Sequence, residues 1–465
     1  MTKYPFPKPI AIICKHISEQ LRDIQVSDAK LQQHDQEFLT LLTHHLSTYL
    51  NKAHSGAVCE CFKKHRELDP DTTLCNCEDR CRSVCQAENS SLRLRLQQQI
   101  DNHSQAVQES VQATQQRMSA DMAYLNRLFQ DLQDLRVVEN HKLTLKEPTV
   151  KIDTPKDVVV KVEFAAQNPI DVRTYDLKQI PDGEIAGRDL VGIVDVIAPE
   201  VVNRELKGTR IASFANGGTP SKSGAFAQWA IAKDEIYIVI PDNIKPEAAA
   251  TLPVGYFTAV HGLYLPHKLG LERGGKSELV LIWGGNSSVG RYAIQLAKLG
   301  GHKVITVASP GAAEELKKLG AEKVFSYKDA DVVEQIRKEY GDIPNVLDAI
   351  GTPDSATTSS KTTGESPAKY TTVRRNAEHT ENFPKHITVS PIQAYRVFDE
   401  EHLPEVTVAK EYAKLLTGWL KEGKIVPNVP KVLGGLEKVP EGYQLHRDGK
   451  IHGEKLVYDI SKTKL

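Results

Sequence analysis

"VLIWGGNSSVGRYAIQLAKLGG", residues 280–301, decides the fold. An apolar strand, Leu279–Trp283, runs into a turn holding Gly284, Gly285, Ser287, Ser288, Val289 and Gly290, and a helix begins through Ala293, Leu296 and Ala297. Small residues in such a turn let the backbone approach a pyrophosphate, and the amides and positive dipole end of the helix would face the phosphates. The spacing is not G-x-G-x-x-G, so a parallel-sheet turn without a ligand is the competing reading. The next element, "HKVITVAS", is a second strand about 20 residues further on, as a βαβ unit requires. It ends in Ala308 and Ser309, where a site built for ribose hydroxyls would carry Asp or Glu. Without a carboxylate to repel a 2′-phosphate, NADPH is the expected cofactor rather than NADH.

Around this unit the totals set limits. The chain has 465 residues, enough for about three domains, and 59 Lys and Arg against 60 Asp and Glu leave a net charge of −1. Nothing global therefore recommends a nucleic acid or an anionic membrane as partner. No apolar run approaches the roughly 20 residues needed to span a bilayer, and "PIAIIC" near the start lacks the pattern of a signal peptide. A cytoplasmic location is the expectation.

Composition divides the chain. All seven cysteines lie between Cys14 and Cys85, and residues 86–135 contain neither Gly nor Pro. After Glu147 the content of Gly, Pro and Val rises. Phe38, Leu41, Leu42, His45 and Leu46 recur at helical spacing, and Val111, Met118, Met122, Leu125, Phe129 and Leu132 form a short coiled-coil seam, imperfect upstream where Gln108 and Gln115 take seam positions. That seam serves either dimerisation and docking or packing within its own domain. Between the helices, Cys59, Cys61, Cys75, Cys77, Cys81 and Cys85 suit zinc, disulfides or inert thiols, and the C-x-C pairs lack the C-x₂-C knuckle spacing.

From Val137 onward the phrases fall in a recognisable order. "VVVKVEFAAQNPIDVRTY" is an alternating strand into a loop, followed by short β segments in "AGRDLVGIVDVIAPEV", "GTRIASFANGG" and "GAFAQWAIAKDEIYIVIPD". "PEAAATLPVGYFTAVHGLY" reads as a helix joining them to the nucleotide unit. Beyond it come a helix end, strand, helix and strand finishing at Gly351. The polar stretch that follows offers only "KYTTV" and "KHITVS" as strands to complete the sheet.

These phrases, over about residues 133–462, resemble the medium-chain dehydrogenase/reductase superfamily, in particular its zinc-independent quinone oxidoreductase and enoyl reductase branch. The resemblance implies an α/β fold: a Rossmann-type parallel-sheet coenzyme domain and a β-rich GroES-like catalytic domain, here preceded by a helical, partly coiled-coil segment. The expected divisions are 1–132 for that segment, 133–253 for the first catalytic part, 254–398 for the coenzyme domain and 399–465 for the catalytic return. Zinc-dependent members need a Cys and a Gly-His-Glu where this chain reads "AAQNPID" and "AGRDLVG". Zinc catalysis is therefore not expected, and alcohol oxidation loses its usual means of stabilising an alkoxide.

What the resemblance implies instead is hydride delivery from NADPH to a quinone, an enone or an enoyl thioester, in a position-driven reaction with hydrogen bonds to the developing oxyanion. Residue by residue, Gly284, Gly285, Ser287, Ser288, Val289 and Gly290 match the pyrophosphate turn, Ser309 and Tyr327 positions near the 2′-phosphate, and Ile350 and Gly351 the cofactor border after the fourth strand. Gly311 stands where relatives often carry a basic residue. Asn168, Asp171 and Thr258 match positions bordering the nicotinamide and are the catalytic candidates. Asn168 and Asp171 also suit capping of a turn or helix; Tyr175 is more typical of packing than of proton donation, and His261 of a structural helix residue than of a base. Competing readings are a trans-acting enoyl reductase of polyketide synthesis and a non-catalytic NADPH sensor. A small-molecule acceptor, and a homodimer or protein partner through the N-terminal helices, complete the expectations.

Overall fold

The computed structural model describes residues 135–139, 142–146, 154–219, 223–399 and 401–464, with isolated helical positions between 94 and 116. The chain divides into two units, Met1–Val107 and Gln108–Leu465. In the first, Leu94, Gln98, Asn102 and Gln105 are helical and exposed. In the second, Gln108, Glu109, Gln112, Ala113 and Gln116 are likewise helical and exposed. The cysteine cluster, the helices around Leu21–Leu50 and the seam residues Val111 to Leu132 lie outside the described residues. Among the described residues no helix is long and apolar enough to cross a membrane.

The remainder of the second unit opens with an antiparallel hairpin, β1 (Leu135–Glu139) and β2 (Lys142–Lys146), whose Leu143 packs on the core beneath the first large sheet. That sheet centres on β3 (Asp157–Ala166), which pairs antiparallel with both β4 (Asp189–Ile197) and β6 (Trp229–Lys233). β5 (Arg210–Phe214) and β7 (Tyr237–Val239) extend it beyond β4. Val158, Val159 and Val160 are all buried, because this strand is covered on both faces, so the alternation expected of it is lost. The expected loop after β3 is instead a helix, α1 (Pro169–Asp176). Pro169 supplies a preset φ at its first position, and the Asp171 carboxylate caps its first turn, taking the Asn168 backbone N–H at 2.8 Å.

The expected joining helix is broken in two, α2 (Pro246–Ala249) and α3 (Pro253–Tyr264). Pro253 has no N–H to continue the first and starts the second. Every residue of α3 is buried, as its apolar composition on all sides requires. It approaches its neighbours closely through glycine: a Cβ on Gly262 would lie 2.8 Å from Ile392.

A six-stranded, all-parallel sheet follows, formed by β8 (Leu279–Trp283), β9 (Lys303–Ala308), β10 (Lys323–Ser326), β11 (Asn345–Asp348), β12 (Ala368–Thr372) and β13 (Ile387–Pro391). Its order is β10-β9-β8-β11-β12-β13, a doubly wound sheet whose direction of winding reverses between β8 and β11. Helices α4 (Ser288–Leu299), α5 (Ala313–Lys318), α6 (Val332–Tyr340) and α7 (Pro353–Ser360) make the crossovers. "KYTTV" and "KHITVS" do complete the sheet as β12 and β13, despite their polarity: Thr371 and Thr372 are fully buried, and the Thr371 hydroxyl donates to the Ser390 carbonyl at 2.9 Å. The chain then forms α8 (Leu403–Lys421), which packs on α3, and returns to the first sheet through β14 (Val429–Gly434), α9 (Val439–Arg447) and β15 (Glu454–Asp459). β15 lies antiparallel to β3.

Candidate functional site

Two groups of expected site residues gather at the carboxyl ends of the parallel strands and at the junction with the first sheet. At the first, Gly284 leaves β8 with φ of +85°, and a Cβ there would lie 2.4 Å from Ile350 beyond β11, so the turn closes directly over the point where the winding reverses. Gly285 packs against Thr306, whose Oγ1 a Cβ would approach to 2.0 Å, and Gly290 packs against the Gly284 carbonyl. Ser287 caps α4, its hydroxyl accepting from the Gly290 N–H at 3.0 Å. The amides of Ser288 and Val289 have no acceptor among the described residues, and both residues are half-buried. A helix N-terminus with two uncommitted N–H groups is a ready anion site.

Ser309 and Tyr327 stand side by side past the ends of β9 and β10, where Ser326 pairs with Ala308 and the Tyr327 N–H donates to the Ala308 carbonyl at 3.3 Å. No carboxylate ends β9. On the other side of the turn, Asp348 locks the Ile350–Gly351 corner: its Oδ1 accepts from both amides at 3.0 and 3.1 Å, and its Oδ2 accepts from the Ser355 and Tyr370 hydroxyls. Burial outweighs these bonds and raises its pKa. Across residues 254–398, the large apolar side chains exposed among the described residues are Tyr327, at 56%, and Ile350, at 44%. Ile350 borders the turn, and Tyr327 stands past the end of β10 beside Ala308. The uncommitted amides and these two uncovered side chains fit a dinucleotide laid across the ends of β8–β11.

The sequence did not single out Arg291. This buried residue one helical turn into α4 donates to Asn286 of the turn at 3.1 Å and pairs with Glu315 of α5 at 2.5 Å, fixing the turn against its neighbour. Its signal was a lone charge on the otherwise apolar face of "SVGRYAIQLAKL".

The second group is a buried polar network. Asn168, Asp171, Arg188, Asp189 and Lys455 are each 5% exposed or less. Arg188 Nη1 donates to Asp171 Oδ1 at 2.6 Å; Asn168 Nδ2 donates to Asp189 Oδ2 at 3.0 Å. Lys455, from the returning β15, donates to Asn168 Oδ1 at 3.0 Å and pairs with Asp189. Asp189 Oδ1 in turn accepts the Val254 N–H at 2.7 Å, tying this network to the start of α3. Two acids and two bases make the cluster neutral, as deep burial demands. Burial still raises the pKa of Asp171, against the pull of Arg188.

Asn168 and Asp171 are thus brought together, with their side chains spent inside the network. Thr258 sits four residues beyond Val254 on the same helix, 8% exposed. Tyr175 packs edge-on against Tyr443 at 5.5 Å. His261 is fully buried, its Nε2 meeting the Glu405 carbonyl at 3.1 Å.

A catalytic zinc does not fit these residues. Where an imidazole and a thiol would be needed stand the Arg188 guanidinium, a fixed cation, and the Asn168 amide, already committed on both its atoms. Among the described residues no group of His, Cys, Asp and Glu is placed to hold a metal.

A glycine turn at the switch point of a parallel sheet, facing a β-rich domain across a polar junction, defines a two-domain nicotinamide-dependent oxidoreductase. Comparison with known proteins agrees. A family signature described as zinc-binding dehydrogenase matches residues 288–366. A zinc-type alcohol dehydrogenase-like protein of Schizosaccharomyces pombe is 31% identical over 332 residues, covering 66% of this chain and 95% of the relative. A trans-enoyl reductase of Alternaria alternata is 33% identical over 317 residues, covering 65% and 91%. The quinone oxidoreductase structure from Coxiella burnetii shares the fold, with a TM-score of 0.55 at 24% identity over 70% of this chain and 98% of that one. The chain belongs to the medium-chain dehydrogenase/reductase superfamily.

Proposed function

We propose that the protein is an NADPH-dependent, zinc-independent reductase of carbon–carbon double bonds conjugated to a carbonyl, with enoyl thioesters and enones ahead of quinones as acceptors. The observation that carries this reading is the replacement of a metal-binding donor set by the network Asn168–Asp171–Arg188–Asp189–Lys455. A conjugated acceptor is already polarised and needs hydrogen bonds rather than a Lewis acid at its oxygen. The relatives favour the same class: trans-enoyl reductases recur among them at 30–33% identity.

The bound cofactor supplies a hydride from its reduced nicotinamide. The chain's own residues do the rest. The Ser288 and Val289 amides hold the pyrophosphate, and Ser309 and Tyr327 flank the adenosine end, where the lack of a carboxylate admits the 2′-phosphate. Ile350 covers the cofactor beside Gly284, and Thr258 borders the nicotinamide.

Oxidation of NADPH, with NADH for comparison, is to be followed against enones, enoyl thioesters and quinones. Turnover with enoyl or enone acceptors and NADPH preference is expected. Cofactor binding with no turnover on any of them would replace this reading with a sensor, and the absence of binding would sink the cofactor assignment.

A further inference from the structure

Arg188 is spent in an unusual way for a buried arginine. A guanidinium carries five N–H donors, and a structural pair with a carboxylate commonly uses two in a fork. Here a single N–H, on Nη1, reaches Asp171 Oδ1, while Asp171 Oδ2 is taken by the Asn168 backbone. The other four N–H groups have no acceptor among the described residues, and the side chain is only 6% exposed.

Two further groups with hydrogens to give lie beside it. The guanidinium sits over the Tyr395 ring, 5.2 Å from its centre, and the Tyr395 and Tyr443 hydroxyls are both buried without a partner. Burial holds both phenols far above their ordinary range, so each stays protonated and donates. Arg188 precedes β4 in the first sheet's domain and Tyr395 follows β13, so these groups lie at the junction of the two domains. Donors left without acceptors are costly, and the unpaired Arg188 nitrogens, which are not among the fully enclosed unpartnered atoms, fit a ligand that brings oxygen.

We propose that Arg188 is a catalytic residue that hydrogen-bonds the carbonyl oxygen of the acceptor. The proposal rests on the reductase reading for its chemistry. Hydride from the reduced nicotinamide adds to the β-carbon, the C=C pair shifts to join the α-carbon and the carbonyl carbon, and the carbonyl pair settles on oxygen. Arg188 meets that enolate oxygen, and solvent protonates the α-carbon. The fixed guanidinium thus supplies positive charge where the metal-dependent pattern would place zinc.

The test uses 4-nitrophenol, whose phenolate mimics an enolate oxygen, titrated with the full-length protein and oxidised cofactor. Bound phenol should ionise at a lower pH than free phenol, read by phenolate absorbance. Arg188→Gln should abolish the shift and Arg188→Lys keep part of it. Because Arg188→Gln strands a buried carboxylate, the double variant Asp171→Asn with Arg188→Gln, which leaves no unpaired charge, is measured alongside. With a working acceptor, kcat should fall roughly a hundredfold in that double variant.

Failure of 4-nitrophenol to bind, or an equal shift with and without the guanidinium, would overturn the proposal. So would unchanged kcat in the double variant, with the reductase reading intact. A guanidinium-dependent shift in a protein that reduces no acceptor would keep the oxygen site and discard the reductase.

Discussion

His261 shows what burial does to a single titrating residue. It is enclosed in α3, its Nε2 bonded to the Glu405 carbonyl and its Nδ1 buried without a partner, and burial lowers its pKa to about 4 from the ordinary 6.5. The folded midpoint lies below the unfolded one. Between the two, the unfolded chain takes up a proton that the folded chain refuses, so this contribution to stability is whole above pH 6.5 and is lost as the pH falls toward 4. At pH 5 the loss is about 2 kcal/mol. His261→Gln, which keeps a donor for the carbonyl and does not titrate, should lose about that much less stability than the wild type between pH 7 and pH 5 in denaturant melts. Identical pH slopes would show that His261 takes its proton in the fold. Asp171, Arg188 and Lys455 meet burial by pairing, and they mark the limit of the sequence. "AGRDLVG" shows two charges inside an apolar stretch, and "EKLVYD" holds Lys455, yet the partners are 17 to 287 residues apart. No local spacing announces such contacts.

At the scale of elements, the sequence is legible where one physical pattern governs a whole segment. The strand, glycine turn and helix of residues 279–299 were legible because small residues and period-3.6 apolar spacing coincide there, and β9 to β11 follow the same alternation of strand and helix. Elements are illegible where a short cap decides the outcome. Pro169 and the Asp171 carboxylate turn an expected loop into α1, and Pro253 splits an expected helix. The N-terminus of α4 is open to a direct test. Ser288 is the first helical residue, and Ser287 before it is already extended, with φ of −74° and ψ of 162°, so proline at 288 suits both positions. Ser288→Pro removes one uncommitted amide, while Ser288→Ala loses the same hydroxyl, an acceptor for Asn428, and keeps the amide. If that amide binds a cofactor phosphate, the proline variant should bind NADPH about tenfold more weakly than the alanine variant, the worth of one charge-assisted hydrogen bond. Melting temperatures of the two should match. Equal affinities would remove the Ser288 N–H from the site.

For the whole molecule, the question is how much of the chain the oxidoreductase fold needs. The Schizosaccharomyces pombe relative is spanned over 95% of its length by 332 aligned residues, so a complete member of the family fits within the last two-thirds of this chain. The structure sets where that portion begins. Leu143 of the β1–β2 hairpin packs on the core around β3 and β4, so a cut must fall before Leu135 to spare the sheet. The cysteine cluster and the seam lie upstream of that point. A chain of residues 134–465 should therefore fold, with a melting temperature within a few degrees of the full protein and NADPH affinity within about twofold. Its mass in solution, by light scattering, then reads the seam. A dimer of the full chain reduced to a monomer places self-association upstream of residue 134, where the seam Val111–Leu132 lies. If the truncated chain fails to fold, the upstream segment is part of the reductase core, and the independence argued from the relatives is wrong.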